Sequence, residues 1–516
     1  MRTKKGLVSL LLTIMMLGSI LGGCGSAADS NANSQGAGDS TKAKAEKIVF
    51  AMPSFNRIPS DIGRVTDAIN AITVPKIGVE VDFKIFGPAD YAQKVNLALQ
   101  SGEQMDVFTT LGQFTSYVSK SQLYPLEDLL EEHGKELLAI LEQDFGPDML
   151  KSTTLNGHIY GIPVNKGVSI PTNFVYNADM LKEVGFSADD INSVEDLPQI
   201  FEAVKQKYPE VIPFGPVNVN PSDPGLILLL KGMYEADFLS DTTGIGAVIG
   251  DDSQVLNFYE TEEFKSGVTM MREWFNKGYL EKDAATTSIA FSDMISSGRG
   301  FSYMASYSGL EAAKALSAQT GKNLEMKRIA PYYFETGAVN MVSWMVSSTT
   351  KAPEGAVKFL NLLYTDEELI NTVLYGIEGE DYVKVGEHHV KYPDGKDAST
   401  VAYTAMLSTG IVGSESLQYQ LEGVNWSDVE LKLQENKETK KSPFFGFIFD
   451  PSEVKTQMSA VTNVVNQYLP GLVCGALDPE TTIPKFVQAL NDAGAEAIIK
   501  SKQEQLDQWI AAQNSQ

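Results

Sequence analysis

The fold is decided by residues 48–108, which read IVFAMPSFNRIPSDIGRVTDAINAITVPKIGVEVDFKIFGPADYAQKVNLALQSGEQMDVF. Short apolar or alternating runs predict three strands, at Ile48–Met52, Val79–Ile85 and Met105–Phe108. Apolar residues at helical spacing predict two intervening helices, which begin at Ser60 and at Asp90. This order predicts a parallel sheet with right-handed crossovers, in which ligands bind beyond the carboxyl ends of the strands. The loops 53–60 and 109–117 are therefore the first places to expect a site.

The rest of the chain continues in the same α/β style and predicts a second lobe. Further strands are expected at Tyr160–Val164, Asn173–Asn177, Gly300–Ala305 and Val342–Val346. We predict two lobes, each a mainly parallel sheet flanked by helices, with the ligand cleft between them and several chain crossings. The expected boundaries are 46–166 with about 285–338 for lobe 1, and about 167–284 with 339–440 for lobe 2.

The C-terminal part, about 441–516, is expected to be a helical domain packed on the two lobes. The residues Asp450 to Glu453 predict a helix start, because an N-cap, a proline and an acid stand in the first turn. That helix is expected to end at Pro470, and a last helix is expected from Thr482. On this last helix Trp509 is interpreted as a packing or surface residue.

The first 23 residues have the pattern of a secretory signal peptide. Basic residues precede the apolar run Leu7–Leu21, which is short for a membrane span and ends in small residues. The cysteine that follows two glycines, Cys24, resembles the lipidated residue in the lipobox of bacterial lipoproteins; the alternative is an ordinary cleavage site beside an unrelated cysteine. The resemblance implies an acyl chain such as palmitate on Cys24, a flexible tether over 24–45, and a location on the outer face of the cell membrane.

Charge and cysteine content limit the possible partners. The chain has 516 residues, a net charge of −25 and 43% apolar residues, so it is long enough for more than one core. Such an acidic balance argues against nucleic acid or anionic lipid as the main partner. Cys24 and Cys474 are the two cysteines. If the first is lipidated, no disulfide forms within one chain, and the apolar neighbours of Cys474 predict a buried side chain.

The sequence lacks the motifs of the common enzyme classes. It has no nucleophile elbow, no phosphate-binding loop and no His-Glu-x-x-His zinc motif. Its four histidines include the pair His388-His389, which lies in a polar stretch and is interpreted as a solvated loop. The 66 acidic residues make many carboxylate pairs, so none identifies a glycosidase dyad. We therefore predict a protein that is not an enzyme and that uses no cofactor. The sequence identifies no metal ligands, and it leaves open whether a structural calcium is bound.

Several segments together resemble one family. Ser101-Gly102-Glu103-Gln104-Met105-Asp106-Val107-Phe108, Tyr160–Pro163, Val175–Gly185, Met271–Tyr279 and Pro353–Leu360 are similar, in this order, to landmarks of bacterial extracellular solute-binding proteins of ABC importers. Phe447–Pro470 and Leu506–Trp509 resemble a C-terminal domain of unknown function found in large lipoproteins of this family. The resemblance implies a monomeric two-lobe clamp that closes on a solute and delivers it to a membrane-embedded permease. Similar proteins mostly serve carbohydrate importers, so an oligosaccharide is the expected solute.

Sugar recognition needs an aromatic face and polar groups at its edge, which selects the candidate residues. The candidates near predicted strand ends or in predicted rim loops are Trp344, Tyr303, Tyr307, Tyr117, Asn56, Arg57, Asn173, Asn220 and Asp223, and Trp274 is a further aromatic candidate. Each has an alternative interpretation, which is core packing for the aromatic residues and turn formation for Asn56 and Asp223. For Trp274 core packing is favoured, because it shares a predicted helix with Met271 and Phe275.

Three other functions stay open at this point. The same clamp could bind a peptide or another small solute. A surface-anchored glycoside hydrolase would need a catalytic dyad in the cleft and would turn its substrate over. A structural or adhesive surface protein would show no closure on a small solute. The sequence favours the carbohydrate-binding clamp over all three.

Overall fold

The computed structural model describes residues 45–514 except 56, 170, 216–224, 288–290, 308 and 310. The predicted signal segment 1–23, Cys24 and nearly all of the predicted tether lie outside the described residues. So do Asn56, Asn220 and Asp223. Within the described part, no helix is both long enough and apolar enough to cross a membrane.

The described residues form seventeen strands and eighteen α-helices. The strands are β1 Glu46–Pro53, β2 Val79–Phe86, β3 Val107–Thr109, β4 Thr154–Leu155, β5 His158–Ile159, β6 Ile162–Pro163, β7 Thr172–Asn177, β8 Ile212–Gly215, β9 Ala236–Asp237, β10 Ile245–Ile249, β11 Leu256–Asn257, β12 Gly300–Ser306, β13 Leu324–Ala330, β14 Ser343–Val346, β15 Val383–Lys384, β16 His389–Lys391 and β17 Gln420–Leu421. The helices are α1 Ile62–Ile77, α2 Pro88–Ser101, α3 Phe114–Ser119, α4 Glu127–His133, α5 Lys135–Phe145, α6 Ala178–Glu183, α7 Leu197–Lys207, α8 Leu226–Tyr234, α9 Glu262–Asn276, α10 Phe291–Ser296, α11 Ala312–Thr320, α12 Thr336–Asn340, α13 Pro353–Thr365, α14 Glu367–Tyr375, α15 Trp426–Glu438, α16 Lys455–Val473, α17 Pro479–Asp492 and α18 Ala495–Gln513.

The first sheet contains the predicted strand-helix-strand-helix-strand unit. Its order is β2-β1-β3-β14-β6, with β1 parallel to both of its neighbours and β14 antiparallel to both of its own. Phe50 lies at the centre of its core, with ring centroids 5.2 Å from Phe83, 5.0 Å from Trp344 and 4.9 Å from Phe359. Such aromatic contacts add specific geometry to the burial of apolar area.

The two helices of this unit begin one or two residues from their predicted starts. The N-cap of α1 is Asp61 rather than Ser60, because the Asp61 carboxylate accepts a hydrogen bond from the Arg64 N–H at 3.3 Å. Helix α2 begins at Pro88. An N–H in the first turn has no acceptor within the helix, so the missing N–H of proline does not destabilise it. Asp90 therefore lies within the first turn of α2.

The second sheet has the order β13-β7-β12-β8. β12 is parallel to β8, and β7 runs antiparallel to both β12 and β13. Each sheet therefore has one strand that opposes the others, β14 in the first and β7 in the second. The predicted two-lobe α/β fold is confirmed, and both of its main sheets are mixed.

The strand pairing corrects two of the predicted lobe boundaries. β12 and β13, within 285–338, belong to the second sheet, and β14, within 339–440, belongs to the first. The chain thus crosses to the second sheet between β6 and β7, and returns between β13 and β14. The prediction was wrong here because a fully buried strand has the same apolar sequence in either sheet.

A third crossing follows α15 and runs beside the second one. The Phe334 N–H donates to the Lys440 carbonyl and the Ser442 N–H donates to the Phe334 carbonyl, both at 2.9 Å. The buried side chain of Asn436 holds the first crossing, because it accepts from the Val168 N–H at 2.9 Å and the Ser169 N–H at 3.0 Å. Hydrogen bonds therefore link the three crossings into one junction.

The C-terminal helices share a core with the second sheet, as the sequence analysis expected of a domain packed on the clamp. Two helix predictions are corrected. Asp450 caps a turn through Ser452, so α16 starts at Lys455 and continues past Pro470. The predicted last helix is two helices, α17 and α18, separated by Gly494 with a φ of 99°. Cys474 is buried, as predicted, and burial raises its pKa to about 11.

A buried lysine joins α18 to the second lobe. The ammonium of Lys502, which has no solvent exposure, donates to the Asp241 carboxylate at 3.0 Å and to the carbonyls of Ile245 and Gly246 at 2.8 and 3.0 Å. Burial alone would raise the pKa of the Asp241 carboxyl, but the Lys502 ammonium and the Thr243 hydrogen bonds outweigh it and hold the pKa below its ordinary value. Each buried charge thus has its partners.

We predict that Lys502→Met lowers the free energy of unfolding by about 3–5 kcal/mol, because it leaves the Asp241 carboxylate buried without its counterion. Urea unfolding followed by circular dichroism measures the change. Lys500→Met on the same helix is the matched control, because its side chain is 77% exposed, and its effect should stay within about 0.5 kcal/mol. Equal stabilities of the two variants would show that the buried lysine does not hold the C-terminal helices in place.

Candidate functional site

The candidate site is built on the carboxyl ends of the strands. In the first sheet β1 ends at Pro53 and β3 ends at Thr109. Because β14 runs in the opposite direction, it begins at this same edge. The described residues of the loops 54–60, 110–113 and 340–342 therefore form one rim, which we call the first rim. Both loops that the sequence analysis singled out contribute to it.

The Thr110 hydroxyl fixes the middle of the first rim. It donates to the Met341 carbonyl at 2.8 Å and accepts from the Ser343 N–H at 2.9 Å. The Gly112 N–H donates to the same Met341 carbonyl at 2.7 Å. Between these residues Leu111 has a φ of 40°, a left-handed conformation that leucine rarely adopts. Strain of this kind often marks functional sites, so it favours a binding role for the rim.

Three large apolar side chains are exposed on the first rim. Phe55 is 46% exposed, Ile58 45% and Met341 51%. An exposed aromatic ring can stack on a flat apolar solute face, while nearby polar groups bind its edge. The sequence analysis named the neighbours of Phe55 but missed this residue. The available signal was an aromatic side chain in the loop directly after the first strand.

The side chain of Arg57, a predicted site residue, binds another segment of the chain and is not free. One of its Nη atoms donates to the Val401 carbonyl, which ties the loop after β1 to a later segment. Its Nε atom is buried and has no acceptor among the described residues. We therefore interpret Arg57 as a residue that positions the loop carrying Phe55.

The structure brings three other predicted residues together at the carboxyl edge of the second sheet. Asn173 lies opposite Ala305 in the β7–β12 pairing, and its side-chain amide donates to the Tyr307 carbonyl at 3.0 Å. Tyr307 follows β12, and Tyr303 lies within that strand. Burial foremost, and then the neighbouring Tyr307, raise the pKa of Tyr303 above its ordinary value. We call this cluster the second rim; Tyr303 and Asn173 are buried in it, and Tyr307 is half-buried.

The structure places the other three aromatic candidates in the cores. Trp344 is fully buried, and its indole N–H donates to the Ile411 carbonyl at 2.8 Å. Tyr117 packs edge-on against Phe108 at 5.2 Å, and burial raises the pKa of Tyr117 to about 12. These positions differ from the exposed strand-end aromatic residues that the sequence predicted, because their rings fill the space between strands and helices.

Trp274 has the packing position that the sequence analysis favoured for it. Its ring lies edge-on to Phe201 at 5.1 Å and to Phe214 at 5.2 Å in the core of the second lobe. Among the described residues, no group of three or more His, Cys, Asp or Glu side chains is placed to hold a metal ion. His388 of the predicted solvated pair stacks on the Trp426 ring with centroids 4.0 Å apart.

The two crossings between the sheets join carboxyl edge to carboxyl edge, which defines a two-lobe binding clamp with its cleft between the two rims. Residues 67–375 match the family described as bacterial extracellular solute-binding protein. This match spans more than half of the chain, so the chain belongs to that family. Residues 443–511 match a domain of unknown function (DUF3502). The resemblance that the sequence analysis stated is confirmed.

Similar proteins have been characterised in Streptococcus pneumoniae. A carbohydrate ABC transporter substrate-binding protein from serotype 4 is 28% identical over 504 residues, which cover 96% of this chain and 97% of that protein. The crystal structure of the N-glycan transport solute binding protein NgtS has a TM-score of 0.75 at 25% identity, covering 90% of this chain and 99% of that one. In complex with Man1GlcNAc, NgtS has a TM-score of 0.67 at 25% identity, covering 90% and 100%.

We predict that Trp344→Ala lowers the free energy of unfolding by about 3–5 kcal/mol, because it opens a cavity in the core of the first sheet. It also leaves the Ile411 carbonyl without its donor. Urea unfolding measures the loss. Trp344→Phe is the control, because it keeps most of the ring volume and should lose less. A Trp344→Ala variant with unchanged stability and weakened solute binding would restore the original solute-contact prediction.

Proposed function

We propose that this protein captures an oligosaccharide outside the cell and delivers it to the permease of an ABC importer. The observation that carries the proposal is the connection of the two sheets by their carboxyl edges, which puts the rim loops of both lobes at one cleft. A solute that touches both rims binds the closed form more tightly than the open form, so it shifts the population toward closure. Binding without turnover suffices for this role.

The choice of a carbohydrate rests on the relatives and on the chemistry of the rims. The relative that spans nearly the whole chain is a carbohydrate ABC transporter substrate-binding protein, and NgtS binds Man1GlcNAc in its crystal structure. On this chain Phe55 offers an aromatic face, and the second rim offers the half-buried phenol of Tyr307. Sugars need both kinds of contact.

The site is tested with the protein spanning residues 46–516. We expect Phe55→Ala to weaken the affinity for the bound saccharide by more than tenfold, or about 1.4 kcal/mol, because the ring face is lost. The ligand is first found by a thermal-shift screen of Man1GlcNAc, Man5GlcNAc, kestose, other neutral oligosaccharides, uronate oligosaccharides and peptides. Isothermal titration calorimetry then measures the affinity of each variant.

Leu97→Ala is the matched control, because Leu97 is an apolar side chain with 58% exposure on α2, away from the rim loops. Its affinity should equal that of the unmodified protein. A shift from peptides and none from saccharides would replace the carbohydrate with a peptide. Cleavage of a bound saccharide during incubation would favour the hydrolase instead. Unchanged affinity of Phe55→Ala would remove the first rim from the site.

We further propose that the protein is a monomer held at the outer face of the cell membrane by lipid on Cys24. The proposal rests on the sequence of the first 24 residues, since the described residues begin at residue 45. Cys24→Ser in the full chain should remove the protein from the membrane fraction. The variant should also incorporate no labelled palmitate. Cys474→Ser is the control and should leave the label in place. Equal labelling of Cys24→Ser and the unmodified chain would disprove the anchor.

A further inference from the structure

A cavity that shares no lining residue with the strand-end rims lies between the β4–β5 hairpin and α18. Its volume is about 820 Å³, within the 300–1,000 Å³ or so that is typical of ligand pockets. Lys151, Leu155 and Asn156 line one wall, and Trp509 with Gln508 lines the opposite one. None of the residues that the sequence analysis proposed as ligand-binding contributes to it. We call it the hairpin pocket.

The hairpin wall is shaped by a two-residue turn. Thr154–Leu155 pairs antiparallel with His158–Ile159. Asn156 and Gly157 between them have φ angles of 53° and 84°. Two positive φ values are typical of the tight turns that join hairpin strands, and Asn-Gly is their preferred sequence. The turn therefore places the Asn156 amide on the wall of the pocket by a local sequence preference.

The pocket-lining segment Gly446–Asp450 is held to α18, which forms the opposite wall. The Gln505 side chain accepts from the Asp450 N–H and donates to the Asp450 carbonyl, each at 2.9 Å. Gly446 lets the two walls approach closely, because a Cβ atom there would lie 2.9 Å from the Lys151 Cβ and 3.6 Å from the Trp509 ring. The pocket is thus formed before any ligand binds, which lowers the ordering cost of binding.

The groups that face this pocket suit a sugar. The Trp509 ring is half-buried and is fixed edge-on to Phe447, with centroids 6.1 Å apart. Within the described ranges, neither its indole N–H nor the exposed amides of Gln508 and Asn156 has a hydrogen-bond partner. Such an anchored ring beside free donors and acceptors offers both the stacking face and the polar edge that a pyranose ring needs. The sequence analysis had interpreted Trp509 as a packing or surface residue.

The charge of the pocket selects between kinds of sugar. The carboxylates of Asp450, Glu453 and Glu504 line it, whereas its one lining cation, Lys151, already pairs with Asp148 at 2.8 Å. A uronic or sialic acid would bring another negative charge close to these groups and would be repelled. An uncharged saccharide can use the same carboxylates as hydrogen-bond acceptors.

The hairpin pocket adjoins the first rim. The Gly446 N–H, on the wall of the pocket, donates to the Thr336 hydroxyl at 2.8 Å, and α12 leads from Thr336 to the rim loop 340–342. The buried Asn340 side chain also donates to the carbonyl of Ser152, next to the lining residue Lys151, at 3.2 Å. We propose that the hairpin pocket is a second subsite, which takes the far residues of a neutral oligosaccharide whose near residues bind at the rims. This inference rests on the proposed carbohydrate-binding function and adds the C-terminal domain to it.

The test compares saccharides of two lengths on the protein spanning residues 46–516. Calorimetry measures Man5GlcNAc against Man1GlcNAc, and a longer fructan against kestose, for the unmodified protein and for Trp509→Ala. Of the pair of saccharides that the protein binds, we expect Trp509→Ala to lower the affinity for the longer one by at least tenfold. The affinity for the shorter one should stay within twofold of that of the unmodified protein. Trp509→Phe should restore most of the loss, because it keeps a ring in the pocket.

Because Trp509 is half-buried, its replacement could also disturb folding, and a second variant distinguishes lost binding from a folding defect. Asn156→Gly combined with Gln508→Ala removes two exposed amides, and glycine adopts the positive φ of position 156 without strain. We expect this variant to weaken the affinity for the longer saccharide severalfold, with an unchanged unfolding temperature. Gln488→Ala, an exposed amide on α17 that does not line the pocket, is the matched control and should bind normally.

The outcomes separate this inference from the proposed function. If the unmodified protein binds a saccharide but the Trp509 and amide variants bind it equally well, the second subsite is disproved and the proposed function stands. Equal weakening of the short and the long saccharide also disproves a separate subsite. If the unmodified protein binds no saccharide at all, both proposals fail.

Discussion

Each sheet contains one strand that runs against all the others, and it is the strand by which the chain arrives from the other lobe. β7 follows the crossing from β6, and β14 follows the crossing from β13. A crossing that leaves one carboxyl edge and arrives at another must continue as an antiparallel strand. The arrangement of the whole clamp depends on this constraint, because it brings the loops of both sheets to one cleft.

The returning strand is held in the first sheet by a buried carboxylate. Asp106, in the segment that resembles the family, accepts hydrogen bonds from the Val49 N–H at 2.7 Å and from the Thr350 hydroxyl at 2.6 Å. One side chain thus connects β1, the start of β3 and the turn after β14. A buried carboxylate must keep its hydrogen-bond donors, so Asp106 strongly favours one pairing of the strands.

The C-terminal domain shares its core with the second lobe, and one of its helices also lines a pocket with residues of the first lobe. Lys502 fixes α18 through an ion pair and three carbonyls, and the far face of that helix lines the hairpin pocket. Breaking such a buried pair is costly, so the helix position is well defined. Because its position is well defined, α18 can hold the half-buried Trp509 ring ready to stack on a sugar. The two-lobe clamp thereby gains a contact for longer saccharides.

The sequence by itself determined the strand-helix-strand-helix-strand unit of the first sheet, the burial of Cys474 and the family, because periodicity, capping and short motifs are local. Sheet membership was decided by tertiary structure, since the apolar run of β14 fits either sheet until Asp106 and its neighbours select one. The same holds for the site. Trp344 and Phe55 are both aromatic residues near strand ends, and only packing decides that the first fills a core while the second meets solvent.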